Sequence, residues 1–167
     1  GKSVAVIGSG PAGMAAADLL NKAGHNVTLY EKDEKAGGLL RFGIPDFKLS
    51  KAVVERRLNL MEKEGVRIRT GAHIGKNIPV IEITSNFDAI CIAIGAGHPR
   101  HLSVEGSEFE GIHFAMDYLS AQNRVNSGII PFNENKIVAE GKKVLVIGGG
   151  DTGSDCVGTA IRQRAKS

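Results

Sequence analysis

Four apolar residues run without interruption at Val4–Ile7 and again at Val144–Ile147, the pattern of a parallel strand buried on both faces. A glycine-rich segment follows each run, then a stretch compatible with a helix. After the first, Met14, Ala17 and Leu20 predict the buried stripe of a helix over Pro11–Ala23, with Pro11 at its first position and Gly24 as its stop. Val27–Tyr30 predicts a second strand. Ser50 stands where a helix cap belongs, and Val54, Leu58 and Met61 share one face of the helix that follows, which ends near Glu64 before Gly65. Val66–Arg69 alternates apolar and basic residues as a short strand does, and Phe87–Ile94 reads as another buried strand closing at Gly95-Ala96-Gly97. Phe114, Ala115, Tyr118 and Leu119 predict a short amphipathic helix within Ile112–Gln122. The polar stretch Asn123–Gly141 reads as a linker, and Ser154–Lys166 predicts a last helix.

The two apolar runs head one repeated unit: Val4-Ala5-Val6-Ile7-Gly8-Ser9-Gly10-Pro11-Ala12-Gly13 returns as Val144-Leu145-Val146-Ile147-Gly148-Gly149-Gly150-Asp151-Thr152-Gly153. With 22 glycines in the 167 residues, three glycines at this spacing arise by chance about 0.4 times in such a chain, whereas two copies each headed by four apolar residues arise on the order of 0.0001 times. Two nucleotide-binding turns follow. Gly8 permits the tight exit from the strand, Gly10 lets a pyrophosphate approach the backbone, and Gly13 lets the helix pack closely on the strand. The phosphate then meets the free N–H groups and positive end of a helix. Glu31 ends the second strand 18 residues beyond Gly13, where a carboxylate accepts both hydroxyls of an adenosine ribose. Its alternative reading is the first solvated residue of the charged loop Glu31-Lys32-Asp33-Glu34-Lys35.

The expected fold is therefore α/β and Rossmann-like, a parallel sheet with flanking helices. The second unit holds its strand, turn and helix but no second strand, and a lone strand–helix pair cannot bury its apolar faces. The chain is thus expected to be a truncated segment of a longer protein. Its organisation reads as a dinucleotide-binding domain over 1–122, a linker over 123–141, and the first strand, turn and helix of a second such domain over 142–167.

Composition narrows the classes. Apolar residues make up 42% of the chain and the formal charge is only +3, which excludes a disordered chain. No stretch reaches the ~18 apolar residues of a membrane span, and Lys2 leads directly into a strand rather than a secretory signal. Charges alternate in sign and aromatics are 5%, so nucleic acid is not an expected partner. Cys91 and Cys156 lack ligand spacing and fit a reducing, cytoplasmic setting, with Cys91 read as a core residue. The five histidines are scattered, read as surface or internally satisfied, and neither Ser9 nor Ser50 has visible nucleophile machinery. No metal site and no catalytic side chain emerge. That suits hydride transfer, in which cofactors carry the chemistry and the protein supplies position and electrostatics. Gly37-Gly38 reads either as loop punctuation or as backbone running beside a long dinucleotide.

The run Gly37-Gly38-Leu39-Leu40-Arg41-Phe42-Gly43-Ile44-Pro45-Asp46-Phe47-Lys48-Leu49-Ser50-Lys51 closely resembles the small (beta) subunits of glutamate synthase. Ile112–Leu119 and Gly148–Gly158 resemble the same family, so the likeness covers nearly the whole chain. The wider flavoprotein family includes electron-bifurcating ferredoxin–NADP reductases and the reductase part of dihydropyrimidine dehydrogenase; Asp155-Cys156-Val157-Gly158 favours the glutamate synthase type.

This resemblance implies an FAD/NAD(P)-binding fold in which NADPH or NADH on the second unit gives hydride to FAD on the first. Electrons would continue through iron–sulfur clusters, held in a preceding cysteine-rich part absent here, to a large subunit that forms glutamate. It implies that Gly8, Gly10, Pro11, Ala12 and Gly13 cradle the FAD pyrophosphate and that Glu31 takes the ribose. Lys32, Gly38 and Leu39 would follow along the cofactor, and Ile74 would meet the adenine through its backbone. Ala93, Gly95 and Gly97 resemble the family's second FAD-side motif. Lys48 stands where the wider family often has an FAD-contacting Arg, keeping the charge but losing the bidentate fork. Gly148, Gly150, Asp151, Thr152 and Gly153 would face the NAD(P)H phosphates. The chain alone is expected to bind FAD weakly and not to turn over NAD(P)H. The alternatives are a bifurcating-reductase subunit, a dehydrogenase using nicotinamide alone, and a non-catalytic nucleotide-binding module.

Overall fold

The computed structural model describes residues 1–167. Eleven elements follow in order: β1 (Ser3–Ile7), α1 (Pro11–Lys22), β2 (Asn26–Tyr30), α2 (Gly38–Phe42), α3 (Lys51–Lys63), β3 (Arg67–Arg69), α4 (Val80–Asn86), β4 (Ala89–Ile92), α5 (Ala115–Asn126), a 3-10 turn (Phe132–Glu134) and α6 (Asp151–Arg162). They divide between two compact units, one of Gly1–Arg41 with Ser50–Gly97, the other of Phe42–Leu49 with His98–Ser167.

The first unit is a four-stranded parallel sheet in the order β3-β2-β1-β4. Register places Ser3 beside Asn26 and Ile7 beside Tyr30, and Ile7 beside Ile92 on the other flank. Parallel neighbours require crossovers, and the intervening helices supply them. Ala5, Val6, Val27 and Leu29 are almost completely buried, as are Ala17 of α1 and Met61 of α3. Each large apolar side chain so buried contributes about 1.5–3 kcal/mol. On one sheet face Ala5 and Tyr30 pack with Ala72 and Ile83. Asp18, the one charge in the apolar stretch of α1, is buried too, between Arg57 Nη2 at 2.7 Å and Lys22 Nζ at 3.0 Å. Arg57 comes from α3, so the ion pair ties the two helices together.

In the second unit α5 packs on α6. Asn123, buried, donates from its amide to the carbonyls of Phe42 (2.9 Å) and Ile44 (3.2 Å). Arg124 lies 4.3 Å over the Phe42 ring and Arg162 3.7 Å over that of Phe47. Gln163 Oε1 accepts from both Tyr118 Oη and the Ala139 N–H at 2.8 Å. Residues 42–49 thereby belong with α5 and α6.

The sequence repeat is a structural repeat at a constant separation of 140 residues, the distance from Val4 to Val144. α1 and α6 each have 12 residues and start directly after Gly10 and Gly150. Met14 N–H bonds to Gly10 O at 2.9 Å, and Ser154 N–H to Gly150 O at 3.0 Å. Gly24, with φ +87°, has its counterpart in Arg164, with φ +62°, the only non-glycine residue in that region. Beyond them Asn26 N–H reaches Lys2 O at 2.9 Å, and Lys166 N–H reaches Lys142 O at 2.8 Å.

Several expectations need correction. Val144–Ile147 is not a buried strand: no strand pairs with it, and Leu145 and Ile147 are 86% and 77% exposed. A ladder needs a partner to take its N–H and carbonyl groups, and only Val144 finds one, bonding to Ser167 O at 2.8 Å. Phe87–Ile94 contracts to β4, whose Ile90 and Ile92 are exposed because it pairs only with β1 at the sheet edge. Cys91, on that edge, is half-buried rather than core. The helix read within Ile112–Gln122 runs over α5 to Asn126, because the polar residues that suggested a linker bond inward through Asn123. The last helix starts at Asp151, not Ser154, and stops at Arg162, where the left-handed Arg164 ends it. α2 and α4 lack a sequence signal, being five and seven residues long. Ser50 occupies the cap of α3 but makes no side-chain cap bond.

Candidate functional site

Between β1 and α1 the three glycines serve different ends. A Cβ on Gly8 (φ +102°) would sit 2.4 Å from Ala93 O, and one on Gly13 would sit 1.8 Å from Gly8 O. Both are glycine because the protein's own backbone fills the space. Gly10 is different: its φ is −65° and a Cβ there would meet nothing within 4 Å. Nothing inside the chain requires glycine at position 10, so what it leaves is room for an approaching group. The first helical bond is the one from Met14 to Gly10, and no side chain caps α1. The N–H groups of Ala12 and Gly13 therefore end the helix unpaired, and Pro11 has none to pair, as at an anion-binding helix start.

Glu31 lies just past the end of β2, buried, with its carboxylate turned to this loop. Oε2 accepts from the Ser9 N–H (3.1 Å) and from Ser9 Oγ, and Oε1 accepts from the Asp33 N–H at 2.9 Å. A carboxylate has about four acceptor positions, so one remains, on Oε1. The carboxylate has room for one hydroxyl directly, where the sequence suggested two. Glu31 is thus a structured part of the turn and not the first solvated residue of a charged loop.

The run at Gly37-Gly38 closes on the same place. Gly37 N–H donates to Ser9 Oγ at 2.8 Å, and a Cβ on Gly38 (φ +50°) would come 2.8 Å from Gly10 Cα. Arg41, buried, holds this segment by donating from Nε to Ala36 O and pairing with Glu55 of α3. Leu39 and Lys32 are exposed beside it. Ala93 N–H bonds to Ile7 O at 2.8 Å, which with its carbonyl against Gly8 brings Ala93 to the turn. Gly95 and Gly97 follow it on the surface with no packed neighbour. Ile74 packs its side chain on the Ala5–Tyr30 cluster, while the bonds of its local turn run through His73, Gly75 and Ile78 instead of its own amide. Gly8, Gly10, Gly13, Glu31, Gly38 and Ala93 are therefore brought together. The hydrogen bonds and close approaches of the turn do not include Ile74, Gly95 or Gly97.

The second turn repeats the first. Gly148 takes φ +130°, a Cβ on Gly153 would sit 2.7 Å from Gly148 O, and one on Gly150 would meet nothing within 4 Å. No side chain caps α6, so the N–H groups of Asp151, Thr152 and Gly153 are the free ones. Asp151 is fully exposed and lies 3.8 Å from Lys48 Nζ, whose main partner is the buried Asp155 one turn on. Hydrogen bonding to Asp155 raises the Lys48 ammonium above its ordinary range, aided by the charge of Asp151. Lys48 thus lies with the second glycine turn in the second unit.

Sequence reading missed Ser9 and Asp155. Ser9 is completely buried between two glycines, and a serine in that setting carries no pattern of its own. Asp155 lies one helical turn after Asp151, a spacing that places both on one face, but nothing in the sequence indicates Lys48 as their partner. No group of three or more His, Cys, Asp or Glu side chains is arranged to hold a metal. No helix is long and apolar enough to cross a membrane.

Comparison with known proteins agrees with this geometry. The chain is 50% identical over its whole length to the glutamate synthase [NADPH] small chain of Bacillus subtilis, of which it covers 34%. It is 48% identical to glutamate synthase [NADH] of Schizosaccharomyces pombe, covering 8% of that protein. It therefore spans about a third of the curated small chains it matches. Among solved structures, FprA from Mycobacterium tuberculosis, described in complex with NADPH, superposes with a TM-score of 0.77 at 26% identity, covering 93% of this chain and 35% of that one. Residues 2–166 match the pyridine nucleotide-disulphide oxidoreductase family, and the chain belongs to that family.

Proposed function

We propose that this chain is the FAD-binding part, with the start of the NAD(P)H-binding part, of a glutamate synthase small-subunit type flavoprotein. The observation that carries the reading is the pair of glycine turns whose central residues, Gly10 and Gly150, have no internal reason to be glycine. The fit to an adenine dinucleotide rests on the chain's own donors and acceptor. Ala12 and Gly13 offer unpaired N–H groups for phosphate, and Glu31 keeps one acceptor position for a ribose hydroxyl. Gly38 holds the following backbone against Gly10, so the cofactor would run between them and Leu39 and Lys32. At the second turn Thr152 and Gly153 would bind the coenzyme phosphates, while Lys48 neutralises the carboxylates of Asp151 and Asp155 that would otherwise repel them.

FAD held by Gly10, Ala12, Gly13 and Glu31 would supply a hydride acceptor for reduced nicotinamide and a one-electron donor for onward transfer. The chain's residues bind and orient; none acts as acid, base or nucleophile. The division into an FAD-binding domain and the start of an NAD(P)H-binding domain, the iron–sulfur clusters of a preceding part, electron delivery to a glutamate-forming large subunit and a cytoplasmic location belong to this proposal. So does the inability of the chain alone to turn over NAD(P)H. Its similarity to small chains of glutamate synthase favours this reading over a bifurcating reductase.

The test is a pair of substitutions in the whole protein. Gly150→Ala should leave a stoichiometric flavin spectrum but abolish its bleaching by NADPH or NADH, whereas Gly10→Ala should remove the flavin itself. Bleaching at an unchanged rate in Gly150→Ala would refute the assignment of the second turn. Dye reduction by the isolated chain at ordinary flavoenzyme rates would refute its inactivity.

A further inference from the structure

The completely buried side chain of Ser9 is joined to three segments of the first unit at once. Its Oγ–H donates to Glu31 Oε2 and its lone pair accepts the Gly37 N–H at 2.8 Å, while its own N–H also donates to Oε2 at 3.1 Å. A hydroxyl has one proton to give. Since Gly37 has only a donor to offer and Glu31 only acceptors, the direction of the relay is fixed: Gly37 N–H to Ser9 Oγ, Ser9 O–H to the carboxylate. Bonds in such a chain polarise one another, and low local dielectric strengthens them. The consequence lies on the far oxygen. With Oε2 saturated by Ser9 and Oε1 holding only the Asp33 N–H, the carboxylate is fixed in rotation, and its one free acceptor position lies on Oε1, the oxygen that Ser9 does not touch.

We propose that Ser9 is a positioning residue for nucleotide binding. It saturates Oε2 of Glu31 so that Oε1 alone faces a ribose hydroxyl, and through Gly37 it sets the Gly38 backbone at its close approach to Gly10. Ser9 does not touch the ligand; it acts through Glu31 and Gly37. The inference rests on the reading of the first turn as an adenine-dinucleotide site. It adds that recognition of the ribose requires a hydroxyl at position 9.

The experiment measures binding of ADP, 2′-deoxy-ADP and 3′-deoxy-ADP by calorimetry to the chain and to Ser9→Ala, Glu31→Gln and the double variant. A hydrogen bond to a charged acceptor corresponds to roughly tenfold in affinity or more. The chain should therefore prefer ADP over one of the two deoxy analogues by about that factor. Ser9→Ala should cut the preference to about threefold or less while leaving affinity for that analogue unchanged, which a general loss of structure would not do. Adding Ser9→Ala to Glu31→Gln should cost nothing more, because the two act as one unit. Amide exchange at Gly37 should quicken in Ser9→Ala with the β1 and β2 amides unaffected, which separates loss of the relay from misfolding.

Full ribose preference in Ser9→Ala would overturn the proposal. So would an equal loss for ADP and both analogues, or an undiminished effect of Ser9→Ala in the Glu31→Gln background. Absence of ADP binding to the unsubstituted chain would overturn the reading of the site itself, a separate result from failure of Ser9 alone.

Discussion

Gly38 lies against Gly10: a Cβ on Gly38 would stand 2.8 Å from Gly10 Cα. Two glycines 28 residues apart in sequence thus meet backbone to backbone, one on the first turn and the other in the segment after Glu31. The contact joins the phosphate-binding loop to the segment after Glu31, and it explains why Gly38 is more than loop punctuation.

Stability and binding should separate along the first turn. Gly13→Ala drives a Cβ into Gly8 O, and Gly8→Ala adds a left-handed backbone to a clash with Ala93 O. Each should destabilise the chain by ~1–3 kcal/mol or more. Gly10→Ala, with ordinary φ and open space, should stay within about 0.5 kcal/mol yet weaken flavin binding at least tenfold. Urea unfolding beside flavin titration of the three variants measures both.

The buried Asp18 should make stability acid-sensitive. The hydrogen bond from Lys22, with the charge of Arg57, lowers its carboxyl below the ordinary 3.8 against the opposing effect of burial. A lowered folded value means the stabilisation is present above about pH 3.8 and is lost as pH falls through the folded value. Asp18→Asn should cost ~1–3 kcal/mol at pH 7, and the gap to the unsubstituted chain should close toward pH 2. Urea midpoints across this range measure it; a constant gap would contradict the pairing.

Tyr118 gives a second pH signature at the opposite end. Burial pushes its phenol up to about 12 from the usual 10, with a smaller contribution from Cys156. The neutral phenol is therefore favoured by folding, so this stabilisation is complete below pH 10 and is lost as pH rises from 10 to 12. The chain has two tyrosines and no tryptophan, which makes absorbance at 295 nm a clean readout. A tyrosinate transition near 12 should be present in the folded chain, lose the Tyr118 contribution in Tyr118→Phe, and be replaced by one near 10 in urea.

What the sequence made legible was periodic or repeated. β1, α1, β2 and α3 follow from uninterrupted apolar runs and from stripes such as Val54, Leu58 and Met61, and the two glycine turns from their recurrence 140 residues apart. What it hid depends on contacts made from afar. The Val144–Ile147 run has the composition of a strand, but pairing is a property of neighbours, and none lies beside it. Asn123 looked like linker composition until its amide met two carbonyls about 80 positions away. Ser9 acts through hydrogen bonds with Glu31 and Gly37, and Arg41 through its pairing with Glu55, partners beyond any local window. Arg164 holds a conformation that its counterpart, Gly24, announces by residue type and it does not.

The most direct measurement is titration of the purified chain with FAD, followed by flavin fluorescence and calorimetry, beside Glu31→Ala. Saturable one-to-one binding in the chain, reduced at least tenfold in Glu31→Ala, is the expected result. Binding that is absent from the unsubstituted chain, or equally strong without the Glu31 carboxylate, would contradict the assignment of the first turn as a self-standing FAD site.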